Sequence, residues 1–357
     1  MKKSFDLRRV IRPHIFDLTP YSSARDEYTG KIGVFLDANE NPLGSVLSKD
    51  YNRYPDPHQV LAKEKLAPIK GVKPEQIFLG NGSDEAIDLL VRATCTPGQD
   101  SLIILPPTYG MYEVSAAIND VEIIKVPLTT DFQIDTEKVL NAIRPDTKLI
   151  WVCSPNNPSG NLVQPEAIET LLDAFDGLVV VDEAYIDFAA ITSWNQRLDE
   201  FPNLVVLQTF SKAWGLASLR LGMCFASSEL IAILDKIKPP YNLSGPTQHL
   251  LYQALDHVQT KNELVKQILA DRENLAQALS TLPGVVKIHP SDANFLLVEF
   301  DNAAGTMKYL IDERIIVRDR SKVTLCAGCL RITVGTEAEN EVLLKALKKF
   351  QQNSVIA

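Results

Sequence analysis

TFSKAWGLASLRLG, residues 209–222, follows directly on an apolar run, Leu204 to Leu207, that Pro202 bounds on its N-terminal side. A short continuous apolar run of this kind reads as a buried strand, so the polar residues stand at a strand's carboxyl end. Lys212 lies among Phe210, Trp214 and Leu216, surroundings that desolvate an ammonium and favour its neutral, nucleophilic form. Thr209, Ser211 and Arg220 add two hydroxyls and a guanidinium, a set suited to a phosphate dianion. Taken alone, the peptide also fits a solvated loop lysine near a surface arginine.

Outward from this stretch the chain alternates strand-like and helical patterns. A helical stretch at 58–68 is followed by IFLG, which closes on Gly80 and Gly82, and then by SDEAIDLLVRAT, with Ser83 placed as the N-cap. Strand-like runs recur at 101–105, 122–126, 148–154, 177–184, 203–207 and 221–226, with helical patterns between most of them. Near-continuously apolar strands alternating with helices predict an α/β domain around a mostly parallel sheet covered on both faces. A long helical pattern, about 246–281, connects this to ANFLLVEF, a helix near 304–313, IIVRD, LRITVG and a final helix from 336 to about 351. That order predicts a smaller α+β domain. The expected division is an N-terminal arm over 1–50, a large domain over 51–260 and a small C-terminal domain over 261–357.

In an open α/β sheet, ligands gather beyond the carboxyl ends of the strands. Gly80-Asn81-Gly82-Ser83-Asp84 joins a strand to a helix, where free N–H groups and the positive dipole end face an anion; it also reads as a plain glycine-rich turn with a capping serine. Neither a dinucleotide fingerprint GxGxxG nor the lysine of a phosphate-binding P-loop is present. Tyr109 could stack on a planar ring or serve structure alone. Asn157, in NNPSG, could donate to a phenolate oxygen or make an Asx turn. Asp182 and Tyr185 close the most apolar strand, VVVDEAY. An aspartate there is costly unless paired, and a pyridinium N–H suits it, as would a helix cap or an arginine. An amine able to condense with an aldehyde, a phosphate cradle, an acid for a ring nitrogen, a ring stacker and phenolate donors together point to pyridoxal phosphate.

Composition bounds the partners. A formal charge of −9 over 357 residues argues against nucleic acid or an anionic membrane surface. The five cysteines form no evenly spaced framework, and Cys326-x-x-Cys329 has neither a second pair nor a histidine closer upstream than His289, so no metal site is expected. The N-terminus carries Arg8-Arg9, but Asp6 and Pro13 interrupt it and no apolar run reaches membrane-spanning length. A cytoplasmic location is the expectation.

LTPYSSAR, LDANENPLG, RYPDP, LGNGSDEAID, PPTYGMY, SPNNPSG, VDEAYIDF, TFSKAWGLASLRLG, PYNLS, ANFLLV and GCLRITVGT occur here in this order. In combination they resemble the fold-type I PLP-dependent aminotransferases over essentially the whole chain and, among these, the histidinol-phosphate aminotransferase family. Trp214 and Ser159 are mild departures from residues more usual there. The resemblance implies that Lys212 is the lysine that joins the cofactor and then moves a proton at the substrate's Cα, and that Asp182 partners the pyridine nitrogen. Asn157 and Tyr185 resemble the residues bonded to the ring's phenolic oxygen, and Tyr109 the stacker. Ser83, Asp84, Thr209, Ser211 and Arg220 resemble the phosphate cup. Tyr54 matches a tyrosine that reaches the neighbouring subunit's cofactor, which implies a homodimer with shared sites. Tyr21, Asn157, Arg318 and Arg331 match positions lining the substrate pocket.

The implied reaction is amino transfer between histidinol phosphate and 2-oxoglutarate, running biosynthetically from imidazole acetol phosphate and glutamate in histidine biosynthesis. Rivals on the same scaffold are an aromatic or aspartate aminotransferase and a threonine-phosphate decarboxylase. A non-catalytic binding protein of this fold would be expected to have lost Lys212 or Asp182; both are present.

Overall fold

In the computed structural model, which describes residues 5–22, 33–47 and 51–356, the apolar runs become strands whose alternate residues bury on opposite faces. In chain order these are β1 (Ile77–Asn81), β2 (Ser101–Ile104), β3 (Glu122–Lys125), β4 (Thr147–Cys153), β5 (Leu178–Asp182), β6 (Leu204–Thr209) and β7 (Leu221–Phe225). They form one sheet in the spatial order β1-β7-β6-β5-β4-β2-β3. Along β5, Leu178 and Val180 enter one core cluster while Val179 and Val181 enter the other. The same division splits Leu149 and Trp151 from Ile150 and Val152 in β4. This two-sided burial is why these strands lack a polar face.

Strands β2 to β6 pair in parallel, whereas β7 runs antiparallel to both β6 and β1. The antiparallel strand follows from its connection. Only residues 210–220 separate β6 from β7, and they hold no helix long enough for the crossover that a parallel return requires. Thr209 therefore pairs with Gly222, and the loop carrying Lys212 hangs from the carboxyl end of β6.

The expected continuous helix at about 246–281 is instead two helices, Gly245–Ala254 and Val258–Ser280, with a 3-10 turn at Leu255–His257 between them. No Pro or Gly marks the break. The first segment buries Leu251 in the large-sheet core, and the second buries Leu275 and Leu279 under another sheet, so the two apolar stripes serve different partners. That second sheet contains β8 (Val285–Ile288), β9 (Phe295–Phe300), β10 (Arg318–Asp319) and β11 (Cys329–Thr333), all antiparallel in the order β10-β11-β9-β8. Leu296, Val298, Leu330 and Ile332 bury against the helices Val258–Ser280, Ala303–Asp312 and Glu337–Ile356. Leu297 and Cys329, on the opposite face, join the core of the large sheet. Arg331 shares the Cys329 face by strand alternation, and so is directed toward the large sheet.

At the N-terminus, Leu7, Val10, Ile11 and Ile15 pack into a large-sheet cluster. Residues 23–25 of the LTPYSSAR motif lie outside the described residues, as do residues 26–32 and 48–50 of the arm. Among the described residues, no helix is long and apolar enough to cross a membrane.

Candidate active site

The carboxyl ends of β4, β5 and β6 lie side by side, because Cys153 is in register with Asp182 and Asp182 with Leu207. Beyond them a cavity is lined by Ser83, Asp84, Tyr109, Asn157, Asp182, Tyr185, Thr209, Ser211, Lys212 and Arg220. Ten of the residues expected to hold the cofactor thus meet at one place.

The loop that bears Lys212 is tied down by its own backbone. Gly215 N donates to Lys212 O at 3.0 Å, Leu216 N to Phe210 O at 3.0 Å, and Ser211 N to Thr209 Oγ1 at 3.1 Å. Gly215 sits at a φ of +66°, where a side chain would be strained. Phe210 and Trp214 are buried beneath the loop. The Lys212 side chain opens into the cavity, with Nζ 5.7 Å from the centre of the Tyr185 ring. Desolvation first, then the charges of Arg331 and Arg220, lower its pKa; Asp182 and Asp84 oppose them. A lowered lysine pKa enlarges the neutral fraction available as base or nucleophile.

The anion end is built from backbone. The helix Gly82–Thr94 starts at Gly82, whose φ of +72° and N–H bond to Arg220 O (2.8 Å) turn the chain out of β1. A Cβ on Gly222 would lie 2.1 Å from both Gly82 C and Ser83 N, so the β7 backbone is pressed directly against this turn. Ser83 is therefore not the N-cap: Asn81 holds that position, and Glu85 reaches back to accept from the Asn81 N–H. Within the first turn, the amides of Ser83 and Asp84 have no carbonyl four residues back to bond. Arg220, in the left-handed region at φ +53°, brings its guanidinium to 3.5 Å from the Asp84 carboxylate. Asp84 also accepts from the Tyr109 hydroxyl at 3.1 Å.

Asp182 is 2% exposed. Its Oδ2 accepts from the Tyr112 hydroxyl at 2.6 Å and its Oδ1 from Ala184 N at 3.1 Å. Burial pushes its pKa up to about 6 in spite of both bonds. Tyr112 was not among the residues singled out from sequence. It lies three residues beyond Tyr109, in the first turn of the helix Met111–Ile118, and stacks on Trp151 with ring centres 4.7 Å apart; the repeated tyrosine in PPTYGMY is the available signal. A buried carboxylate with no ion-pair partner among the described residues, facing a cavity whose other end offers helix amides, hydroxyls and a guanidinium, fits a ring cation that carries a phosphate. These features match the donor set of pyridoxal phosphate.

The expected substrate residues are placed differently. Arg331 reaches the cavity through Asn157: its Nη1 donates to Asn157 Oδ1, and its guanidinium lies 5.2 Å over the Phe295 ring. With Oδ1 occupied, the Asn157 amide N–H groups are the part left to face a ligand. Arg318 stands opposite Arg331 across β10 and β11. It does not pair with Asp319, whose carboxylate accepts from Ser321 N at 2.8 Å and Ser321 Oγ at 2.6 Å. Tyr21 is exposed and lies outside this cavity. Tyr54 lines a separate cavity with Tyr241 and His249, and stacks on Tyr241 at 4.5 Å.

The sequence model for "Aminotransferase class I and II" matches residues 27–347, and the chain belongs to that family. A histidinol-phosphate aminotransferase of Cytophaga hutchinsonii is 56% identical over 347 residues, covering 97% of this chain and 100% of that one. One of Parabacteroides distasonis is 51% identical over 346 residues, covering 97% and 99%. Within the class, the chain accordingly belongs to the histidinol-phosphate aminotransferase family. The crystal structure of such an aminotransferase from Sinorhizobium meliloti, in complex with pyridoxal-5'-phosphate, superposes with a TM-score of 0.79 at 25% identity, covering 89% of this chain and 90% of that one.

Asp182 supplies a test that needs no turnover. Its folded pKa, about 6, lies above the unfolded value of about 3.9, so its contribution to stability is present at low pH and lost as pH rises through 6. An asparagine in its place would not titrate, and Glu183, likewise pushed up by burial to about 7, is common to both proteins. In cofactor-free protein, Asp182→Asn should gain stability over wild type by roughly 1–2 kcal/mol between pH 5 and pH 8. Urea unfolding at the two pH values measures this; a pH-independent difference would contradict the buried, unpaired carboxylate.

Proposed function

We propose that the protein transfers an amino group between histidinol phosphate and 2-oxoglutarate, and that in the cell it works from imidazole acetol phosphate and glutamate toward histidine. The observation that carries this reading is the pair Arg318 and Arg331, in register on β10 and β11 with Arg331 bonded to Asn157 of the cavity lining, neither with an ion-pair partner among the described residues. Histidinol phosphate has no α-carboxylate, so its phosphate ester is the strong anion that a paired guanidinium site would hold. Tyr21 is assigned to the same substrate.

Pyridoxal phosphate, when bound, supplies an aldehyde for an amine to join and a protonated ring that draws electron density from the substrate's Cα. Lys212 is assigned the covalent attachment and then the proton at Cα: its lowered pKa suits Nζ to take that proton as base and return it as acid. Asp182 holds the ring nitrogen protonated, with Tyr112 and Ala184 fixing the carboxylate. Tyr109 would cover the ring, Asn157 and Tyr185 would face its phenolic oxygen, and Ser83, Asp84, Thr209, Ser211 and Arg220 would receive the phosphate. Desolvation raises the Tyr185 pKa, so its hydroxyl stays protonated and donates.

The same reading includes a homodimer with shared active sites. Val34, Leu36 and Leu43 of the arm are each at least 87% exposed on the single chain, apolar area that a second copy would cover. Tyr54, 51% exposed and outside its own chain's Lys212 cavity, is assigned to the neighbour's cofactor phosphate. The reading also includes a cytoplasmic location and the division into arm (1–50), large domain (51–260) and small domain (261–357); the separate core beneath the second sheet supports that division.

Purified protein supplied with pyridoxal phosphate should transfer the amino group from histidinol phosphate to 2-oxoglutarate. Borohydride should fix the cofactor on the peptide containing Lys212. Label on another lysine would remove the assignment, and absence of transfer with this pair would remove the substrate. For the dimer, sedimentation should give twice the chain mass, and mixing Lys212→Ala with Tyr54→Ala subunits should regain activity above either alone; a fully active monomer would exclude shared sites.

A further inference from the structure

We propose that Arg320 is a third guanidinium of the substrate pocket and, with Arg318 and Arg331, binds the phosphate ester of the amine substrate. The proposal rests on the phosphate-ester reading given above and adds a residue to it.

Strand geometry places the three together. Arg318 is opposite Arg331, and Arg320 N continues the ladder by donating to Cys329 O at 2.9 Å. Side chains two apart on a strand share a face, so Arg318 and Arg320 project on one side, as do Cys329 and Arg331 on the neighbouring strand. That side is the one from which Leu297 and Cys329 enter the large-sheet core, whereas Leu330 and Ile332 bury on the other. Arg320 therefore points into the space between the two sheets, where Asn157 and Tyr185 also lie.

A guanidinium held there for structure would be satisfied by carbonyls or by an acid. Arg320 is half-buried, its Nε is buried with no hydrogen-bond partner, and among the described residues it makes no ion pair. Asp319, the adjacent acid, is engaged by Ser321. Apart from burial, the groups that act most on Arg320 are the like charges of Arg331 and Arg318, opposed by Cys326 and Tyr185, with no carboxylate among them. Three cations in one partly desolvated cluster repel, and an unbonded buried N–H adds to the cost. The arrangement is relieved by an anion of more than one charge with several acceptor oxygens. A phosphate monoester dianion offers three, enough for three guanidiniums, where a carboxylate offers two.

The test compares the phosphorylated amine, histidinol phosphate, with its unphosphorylated counterpart, histidinol, on holoenzyme of wild type, Arg320→Gln and Arg320→Lys. Wild type should prefer the phosphorylated amine in kcat/KM. Arg320→Gln should erode that preference by about 10- to 100-fold, mostly in KM, as expected for loss of one charged hydrogen-bonding group. Arg320→Lys, which keeps the charge without the fork, should recover part of the preference. Inorganic phosphate, used as a competitive inhibitor, should bind Arg320→Gln more weakly by a similar factor. Equal losses for both amines, or phosphate inhibition unchanged by the substitution, would show that Arg320 only supports the fold and would overturn the proposal. If wild type itself shows no preference for the phosphorylated amine, the phosphate-ester reading falls and takes this proposal with it. Should Arg320→Gln prove insoluble, Arg320→Lys decides alone: an undiminished preference overturns the proposal.

Discussion

Asp182 ends a strand whose four preceding residues are fully buried, and it stays 2% exposed itself. Burying a carboxylate there is unfavourable, and that burial pushes its pKa up to about 6. Two donors, the Tyr112 hydroxyl and the Ala184 amide, orient it without neutralising it. The surrounding parts make sense as the means of holding this group toward the cavity. Trp151 fixes Tyr112 by stacking, parallel pairing with β4 and β6 fixes the depth of the strand end, and the two core clusters hold the sheet from both sides. The proposed pairing with a bound ring cation would convert this standing cost into attraction. Cofactor affinity and the acid's orientation would then be two aspects of one interaction.

Lys212 and Asp182 meet because their strands are neighbours, not because they are close in sequence. The antiparallel return of β7 shapes the Ser83–Asp84 end of the cavity in the same way, since Gly222 lets its backbone press on the Gly82–Ser83 turn. The substrate side depends on the second sheet. Arg331 approaches through its bond to Asn157, which couples a residue assigned to the ring's phenolic oxygen to those assigned to the substrate anion. Lys261 binds Asp187 at 2.8 Å, and Phe295 packs edge-on against Tyr185 at 5.1 Å. These contacts seat the second sheet over the first, where the Lys212 cavity opens.

The sequence was most legible where a polar residue interrupts strong apolar periodicity. Asp182 after VVV, Asn157 after a buried strand and Lys212 after β6 all stand out because strand ends in α/β sheets face ligands. The strands themselves were recognisable within a residue or two, since burial on both faces leaves few polar interruptions. Other features were set by tertiary contacts that no local pattern carries. Ser83 reads as a helix cap, but Gly82, at positive φ and donating its N–H to Arg220 O, starts the helix two residues earlier than that cap would. The break before Val258 has no Pro or Gly because divergent burial partners produce it. Tyr112 resembles any core tyrosine until Asp182 is placed beside its hydroxyl. Arg320 looks like one of several charges in IIVRDR until β10 is aligned with β11.

The role assigned to Asp182 is to keep a ring nitrogen protonated inside this fold. The most direct measurement is the nitrogen-15 NMR signal of ring-labelled pyridoxal phosphate bound to the protein at pH 8. Wild type should give a protonated pyridinium signal, and Asp182→Ala should shift it to the neutral pyridine position. A neutral ring nitrogen in wild type, or a pyridinium that persists in Asp182→Ala, would contradict it.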